Sequence, residues 1–210
     1  MTNPEDLAAI AALTDRVRRD AYRAVSDARP APIGRDEVAE ALGVGRSLAA
    51  FHLDKLVDAG LLEVSYARRS GRTGPGAGRP AKLYHLAAAE HAVSVPPRAY
   101  RTAAGLLAET LERLGADEAL AKVARAHGRT LRDPSELGDL SALGYEPDFS
   151  GDSAIFRNCP FHQLAEQFPP LICGMNLALV EGIVEGTEWT ARMDAAPGRC
   201  CVTLSKKQTD

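Results

Sequence analysis

The sequence predicts an α+β protein with two domains, residues 1–88 and 98–210, joined by a linker at 89–97. Two observations predict this. Segments with apolar residues at helical spacing alternate with short β-patterned segments in both halves of the chain. Residues 87–97, AAAEHAVSVPP, have no regular period and end in two prolines, which is typical of a connecting segment. Hydrophobic residues make up 45% of the 210 residues, enough to bury a core in each domain.

The chain shows no sign of a membrane or secretory destination. No apolar run approaches the roughly 18–20 residues that span a bilayer. The N-terminus lacks a basic segment followed by an apolar one, so we expect no signal peptide and a cytoplasmic protein. In that compartment, four cysteines are more typical of metal binding or reactive thiols than of disulfides.

Charge is unevenly distributed along the chain. The net charge is −3, which does not suggest a nucleic-acid partner. Residues 1–88, however, contain 13 Lys and Arg against 11 Asp and Glu. Between residues 61 and 88 only Glu63 opposes five basic residues, which are Arg68, Arg69, Arg72, Arg79 and Lys82. A local basic surface of this kind can bind phosphates even on an acidic protein.

The first 60 residues predict three helices. Residues 7–27 have the apolar spacing of one amphipathic helix, which RPAPIG then breaks. A short helix follows around residues 38–42, and Gly43 ends it in the left-handed conformation that glycine favours. The third helix is predicted from about Gly45 to Ala59, and its inward residues are Leu48, Leu53 and Leu56. Two helices joined by a tight glycine turn predict a helix-turn-helix, whose second helix enters the major groove.

A basic hairpin is predicted to follow the third helix. LLEVSYARR and AKLYHL read as strands, and the glycine-rich, basic segment SGRTGPGAGRP lies between them. Strand, basic tip and strand after a helix-turn-helix predict a wing. The stretch from HLDKLV to KLYHL resembles winged-helix regulators of the ArsR/DeoR-like type, and the resemblance covers about residues 10–88.

This arrangement predicts a double-stranded DNA operator as the partner. Base contacts are expected from the exposed start of the third helix, where Arg46 can bind a guanine with two hydrogen bonds. The predicted base contacts are Arg46, Ser47 and Ala50. The predicted phosphate contacts are His52 and Lys55 on the same helix and Arg68, Arg69, Arg72 and Arg79 on the wing. The alternatives are a solvated charged surface and, for His52, a half-buried hydrogen-bonded residue.

The second domain is predicted to begin with a helical pair. RAYRTAAGLLAETLERLG and ADEALAKVARAHGRTLRD both read as helices. The first carries Leu106, Leu107, Leu111 and Leu114 on one side. These leucines either pair two protomers into a homodimer or cover the rest of the domain.

The four cysteines fall near the ends of predicted elements. Cys159 follows the predicted strand SAIFRN, and Pro160 opens a short helix to about Gln167. Cys173 lies in the first turn of a helix from about Leu171. Cys200 and Cys201 begin the predicted closing strand RCCVTLS. Adjacent strand residues point to opposite faces, so both can reach one site only if the strand begins after them.

The spacing predicts three thiols with His162 as a possible further ligand. His162 lies one helical turn from Cys159, so the pair can chelate. The thiol spacings Cys-x13-Cys-x26-Cys are too long for a simple zinc ribbon. Buried cysteines that act only as small apolar residues are the alternative.

The C-terminal half also resembles a known family. NCP, LAEQFPPLICGMN and GRCCV look like the sensor region of the Suf-operon repressor family. That resemblance implies a transcriptional repressor with a cysteine-ligated iron–sulfur cluster, expected as [4Fe–4S]. The ligands it implies are Cys159, Cys173 and Cys200, with His162 and Cys201 as weaker candidates.

Three functional hypotheses follow. The first is a dimeric, non-enzymatic redox sensor whose operator affinity the cluster controls. The second is a zinc-binding or thiol-redox regulator that uses the same residues. The third is an enzyme with Cys159 as nucleophile and His162 as base, but no oxyanion-stabilising or orienting group is recognisable in the sequence.

Overall fold

The computed structural model describes residues 3–68, 80–132 and 140–207. The chain divides into two units, Met1–Arg98 and Ala99–Asp210. The segment 89–97 therefore falls in the first unit, where His91 Nδ1 lies 2.9 Å from Asp6 Oδ1. Both units combine helices with antiparallel strands, in agreement with the predicted α+β class.

The first unit is built from four helices and a small sheet. The helices are α1 (Pro4–Ala12), α2 (Arg16–Asp27), α3 (Arg35–Leu42) and α4 (Arg46–Asp58). The strands are β1 (Ile33–Gly34), β2 (Leu62–Ala67) and β3 (Ala81–Leu86), in antiparallel order β1-β3-β2. Val25, Val38, Leu53 and Tyr84 are buried together in the core.

The single helix predicted over residues 7–27 is wrong, because the chain forms α1 and α2 with a break between them. Thr14 Oγ1 donates a hydrogen bond to the Ala11 carbonyl at 2.7 Å. The Asp15 carboxylate accepts a bond from the Arg18 N–H at 2.9 Å and so caps α2. Short polar side chains of this kind compete with helical backbone bonds and favour a new helix start.

The predicted turn between α3 and α4 is confirmed. Gly43 has a φ of +65°, the left-handed conformation that residues with a Cβ avoid. The Val44 N–H donates to the Ala39 carbonyl at 3.0 Å and closes the end of α3. Leu53 and Leu56 are buried as predicted, but Leu48 is not an inward residue, since 44% of it is exposed.

The second unit packs helices onto a four-stranded sheet. Its helices are α5 (Tyr100–Arg113), α6 (Asp117–Thr130), α7 (His162–Gln167) and α8 (Pro169–Ile183). Its strands are β4 (Pro147–Ser150), β5 (Ser153–Phe156), β6 (Trp189–Met193) and β7 (Val202–Lys206), in antiparallel order β4-β5-β7-β6. The core contains Phe156, Val180, Ile183 and Val202. β4 was not predicted.

Helices α6 and α8 cross without side chains between their backbones. A Cβ on Gly128 would lie 3.0 Å from Gly182 Cα and even closer to the Leu179 carbonyl oxygen. A Cβ on Gly182 would collide with the Arg125 carbonyl oxygen. Ion pairs from α6 to α8 and to the residues after it flank this crossing, including Arg129 Nε to Glu185 Oε2 at 2.6 Å. The two glycines therefore set how closely α8 approaches α6.

No helix in the described residues is long and apolar enough to cross a membrane.

Candidate functional site

The start of α4 is exposed where base contacts were predicted. Arg46 and Ser47 are exposed and Ala50 is half-buried. Arg46 Nε lies 2.7 Å from Asp36 Oδ1, and both side chains are more than half exposed. Exposed pairs of this kind contribute about 0–1 kcal/mol. The guanidinium can therefore leave Asp36 for a stronger partner at little cost.

The structure does not favour the predicted phosphate contact of His52, because His52 is only 7% exposed. Its Nδ1 lies 3.7 Å from Asp15 Oδ1, and its ring packs edge-on against Phe51 with centroids 5.3 Å apart. α4 turns this position towards Asp15 at the start of α2. The half-buried alternative is closer to what the structure has.

Of the other predicted phosphate contacts, the structure describes two, Lys55 and Arg68. Lys55 is half-exposed on α4, with Nζ 3.3 Å from Asp58 Oδ2. Arg68, just after β2, is exposed. The wing residues Arg69, Arg72 and Arg79 lie outside the described residues.

Sequence reasoning missed Phe51. It lies four residues after Ser47 on α4, so the two share a face. Phe51 is 56% exposed, although phenylalanine is more often buried. On a helix that enters the major groove, such a ring can contact a thymine methyl. The available signal was helical spacing, because Phe51 lies four residues after Ser47, which was predicted to contact bases.

All four cysteines line one cavity in the second unit. Its volume is about 200 Å³. The other lining residues are His162, Ala165, Glu166, Ala195, Ala196 and Arg199. Cys200 is buried, with 1% exposed, and the other three thiols are half-buried. Residues from three separate parts of the chain thus meet at one place.

Backbone bonds explain how Cys159 and Cys200 meet. The Cys200 N–H donates to the Phe156 carbonyl at 2.9 Å, at the end of β5. Cys159 follows three residues later, where its carbonyl accepts a bond from the His162 N–H at 3.1 Å and begins α7. The short helix therefore starts at His162, not at Pro160.

Two further expectations about the cysteines need correction. β7 begins at Val202, so the predicted strand start at Arg199 is wrong. Strand alternation therefore does not separate Cys200 from Cys201, and both reach the cavity. Cys173 is the fifth residue of α8, which begins at Pro169, and so lies in the second turn rather than the first.

The thiols lie close enough together to shift one another's pKa. Bonds from Cys159 and Cys201 lower the pKa of Cys200, and the Val202 N–H and the Asn176 amide act in the same direction. The bond to Cys200, together with burial, raises the pKa of Cys159 and of Cys201. Cys201 also contacts Cys173. The cavity therefore favours a thiolate at Cys200 and keeps protons on its neighbours.

Two buried polar residues behind Cys200 were missed by sequence reasoning. Asn176 Nδ2 donates to Cys200 Sγ at 3.2 Å, and the Tyr145 hydroxyl donates to Asn176 Oδ1. Each of the three residues is 1% exposed. Burial raises the pKa of Tyr145, so its hydroxyl keeps the proton it donates. A single asparagine within the apolar run of α8 was the available signal.

The polar rim of the cavity contains His162 and Arg199. His162 is 63% exposed along its side chain, and its Nε2 lies 3.3 Å from Glu166 Oε1. Arg199 Nη2 binds Asp194 Oδ2 at 2.6 Å. Its Nη1 is buried and has no hydrogen-bond partner among the described residues. A buried N–H donor on a half-buried cationic side chain suits a negatively charged occupant.

In the described parts of the chain, no group of three or more His, Cys, Asp or Glu side chains is arranged as a metal-binding group. The four cysteines line the cavity without forming such a group. Ligation by Cys159, Cys173 and Cys200 stays a prediction.

Comparison with protein families matches residues 13–65 to the family described as "Helix-turn-helix domain". The match includes α2, β1, α3, α4 and the first part of β2. No curated protein matches the chain. The chain therefore contains a helix-turn-helix domain, which supports a DNA-binding transcriptional regulator.

Proposed function

We propose that this helix-turn-helix protein is a transcriptional repressor whose operator affinity is controlled by an iron–sulfur cluster bound through Cys159, Cys173 and Cys200. The observation that carries the proposal is the single cavity lined by all four cysteines, outside the helix-turn-helix match. Thiolate sulfur is the usual protein ligand of such clusters. The free donor of Arg199 suits their negative charge.

The size of the cavity also supports a group of several atoms. A cavity needs about 10–15 Å³ to hold one water. The cavity, at about 200 Å³, is several times larger. A cluster bound there would supply a centre whose charge and integrity respond to oxidants and to iron supply. A [4Fe–4S] cluster on three cysteines leaves a fourth position, for which Cys201 and His162 are candidates because both line the cavity.

Zinc is the alternative occupant, and His162 is the observation that favours it. Three cysteines and one histidine are a common structural zinc set. His162 lines the cavity with the cysteines. The same residues would then hold a structural or thiol-redox centre, and metal analysis separates the two cases.

A cysteine-dependent enzyme is less well supported than a regulator. A nucleophilic cysteine needs a lowered pKa, whereas the bond to Cys200 and burial raise the pKa of Cys159. The His162 imidazole pairs with Glu166 and is largely exposed. The helix-turn-helix match also favours a regulator.

A homodimer is proposed because an apolar stripe along α5 is exposed in the part of the chain that the structure describes. Tyr100, Leu107 and Leu114 recur every seven residues, with 75%, 65% and 73% of each residue exposed. The opposite side of the helix, including Ala108, packs into the unit. A seven-residue apolar repeat is typical of helices that pair with another helix. A dimer of this kind would bind a palindromic operator.

The DNA-binding half is tested by substitutions with different expected signatures. Arg46→Ala should cost about 1–3 kcal/mol on the preferred sequence and relax specificity, because a base contact is lost. Arg72→Ala should weaken binding to all sequences alike, because a phosphate contact is lost. The slope of the logarithm of the binding constant against the logarithm of the salt concentration should become smaller by about 1. The measurement is selection from a random duplex library, followed by affinity titrations at several salt concentrations. Equal loss of specificity in both variants would refute this division.

The same titrations test control by the C-terminal cysteines. They are made without oxygen on protein reconstituted with iron and sulfide, then repeated after a chelator removes the iron. A cluster controls the operator only if the two states bind DNA with different free energies. Coupling of about 1–3 kcal/mol, or 5- to 150-fold in affinity, is expected. Identical affinities would leave a regulator without cluster control.

A further inference from the structure

The sulfur of Cys200 lies at the end of a buried polar chain. Tyr145, Asn176 and Cys200 are each 1% exposed. A buried amide needs hydrogen bonds on both ends, since leaving them unmade destabilises the fold. The two partners that satisfy Asn176 are a phenol on one side and a sulfur on the other.

Tyr145 fixes the orientation of the amide. Its hydroxyl donates to Asn176 Oδ1, so the amide N–H must point the other way, towards Cys200 Sγ at 3.2 Å. The tyrosine is itself held in place. Its N–H donates to the Leu140 carbonyl at 3.0 Å, and its ring packs on Phe156 with centroids 4.9 Å apart. The Val202 N–H, 3.5 Å from the same sulfur, adds a second donor.

One helix presents both a proposed ligand and this donor. Asn176 follows Cys173 by three positions in α8, so both lie on the same face of the helix. A neutral thiol is a weak acceptor, so a bond to it would offset little of the free energy lost when the amide is removed from water. A negatively charged sulfur accepts a much stronger bond. The donors are thus arranged for a sulfur that carries charge, as a ligand sulfur does.

We infer that Asn176, oriented by Tyr145, is a positioning residue that holds Cys200 as a ligand and raises the reduction potential of the bound cluster. This inference rests on the proposed function. Hydrogen bonds to ligand sulfurs stabilise the more negative, reduced state and so move the potential upwards. They also fix the orientation of the ligand, as partners behind metal ligands generally do.

The test uses the full-length protein with two variants and one control. Asn176→Leu removes the donor, and Tyr145→Phe keeps the ring but removes the group that orients the amide. Val180→Ala is the control, because Val180 is fully buried on the same helix and its side chain has no group that could donate to the sulfur. Two quantities are measured without oxygen: Co²⁺ affinity of the chelator-treated protein against a competing chelator, and the reduction potential after reconstitution with iron and sulfide.

Asn176→Leu should lower Co²⁺ affinity roughly 10- to 100-fold and make the reduction potential more negative. Tyr145→Phe should shift both in the same direction by a smaller amount. Val180→Ala should lower the urea midpoint while leaving both quantities near those of the wild type. If Asn176→Leu does not fold, the Tyr145→Phe variant alone tests the inference. A Co²⁺ affinity and a reduction potential equal to those of the wild type in that variant would overturn it.

Failure of the inference and failure of the proposed function give different results. Wild-type protein that takes up neither Co²⁺ nor iron and sulfide would overturn both. Wild-type protein that binds them, with variants that match it in affinity and potential, would overturn the inference alone. The amide would then serve only to satisfy buried polar groups.

Discussion

Gly182→Ala is expected to destabilise the second unit by about 3 kcal/mol or more, towards the upper end of what overpacked cores lose. A Cβ there would collide with the Arg125 carbonyl oxygen and lie 3.1 Å from Arg129 N. Both neighbours are backbone atoms of α6, so no side chain can rotate away. The helices must separate, and the loss of packing spreads through the core between α6, α8 and the sheet.

The measurement is urea unfolding followed by the fluorescence of Trp189, the only tryptophan in the chain. It lies in β6 and is 8% exposed, so it reports on the second unit. Gly128→Ala should behave as Gly182→Ala does. Gly174→Ala is the matched control on α8, because nothing lies within 4 Å of its added Cβ. It should stabilise the helix by about 0.5–1 kcal/mol.

A Gly182→Ala variant with the same urea midpoint as Gly174→Ala would contradict this description of the crossing. The result also bears on the candidate site. α8 carries Cys173 and Asn176, so the distance between α6 and α8 sets where these two side chains lie.

Cys200→Ser is expected to abolish the visible absorbance of protein reconstituted with iron and sulfide, whereas Cys201→Ser should keep most of it. Cys200 is buried and its sulfur receives N–H donors from Asn176 and Val202. Those donors favour the charged sulfur that ligation requires. Cys201 is half-buried, and burial together with its bond to Cys200 raises its pKa.

Each serine variant serves as the control for the other. Both replace sulfur with oxygen at adjacent positions of one segment, so a general effect of serine would appear in both. Trp189 fluorescence confirms that each variant is folded before reconstitution. Loss of absorbance in Cys201→Ser with retention in Cys200→Ser would reverse the assignment of the third ligand.

The helix-turn-helix was predictable because its signals are local. The apolar face of α3, the glycine turn at Gly43 and the hydrophobic run of α4 lie within about 25 consecutive residues. The errors in this half of the chain came from side-chain contacts, which the spacing of apolar residues does not reveal. Thr14 and Asp15 ended one helix and began another. His52 became buried because its side of α4 faces α2.

The convergence of the cysteines was predictable only in outline. Their positions near element ends indicated that they could meet, and all four do line one cavity. The hydrogen-bonded residues behind them could not be found from spacing, because Tyr145 and Asn176 are 31 positions apart and Asn176 and Cys200 are 24 apart. Contacts over such separations depend on how α8 packs on the sheet. The start of β7 after Cys201 likewise follows from tertiary pairing, since Val202 pairs with Met193 of β6.

The central claim is that the cavity around Cys159, Cys173 and Cys200 holds an iron–sulfur cluster. The most direct measurement is a visible absorption spectrum, with iron, sulfide and zinc analysis, on protein purified without oxygen. The proposal predicts a brown protein with broad visible absorbance and matching amounts of iron and sulfide. A colourless protein with about one zinc per chain would contradict it and make the cavity a structural or thiol-redox metal site.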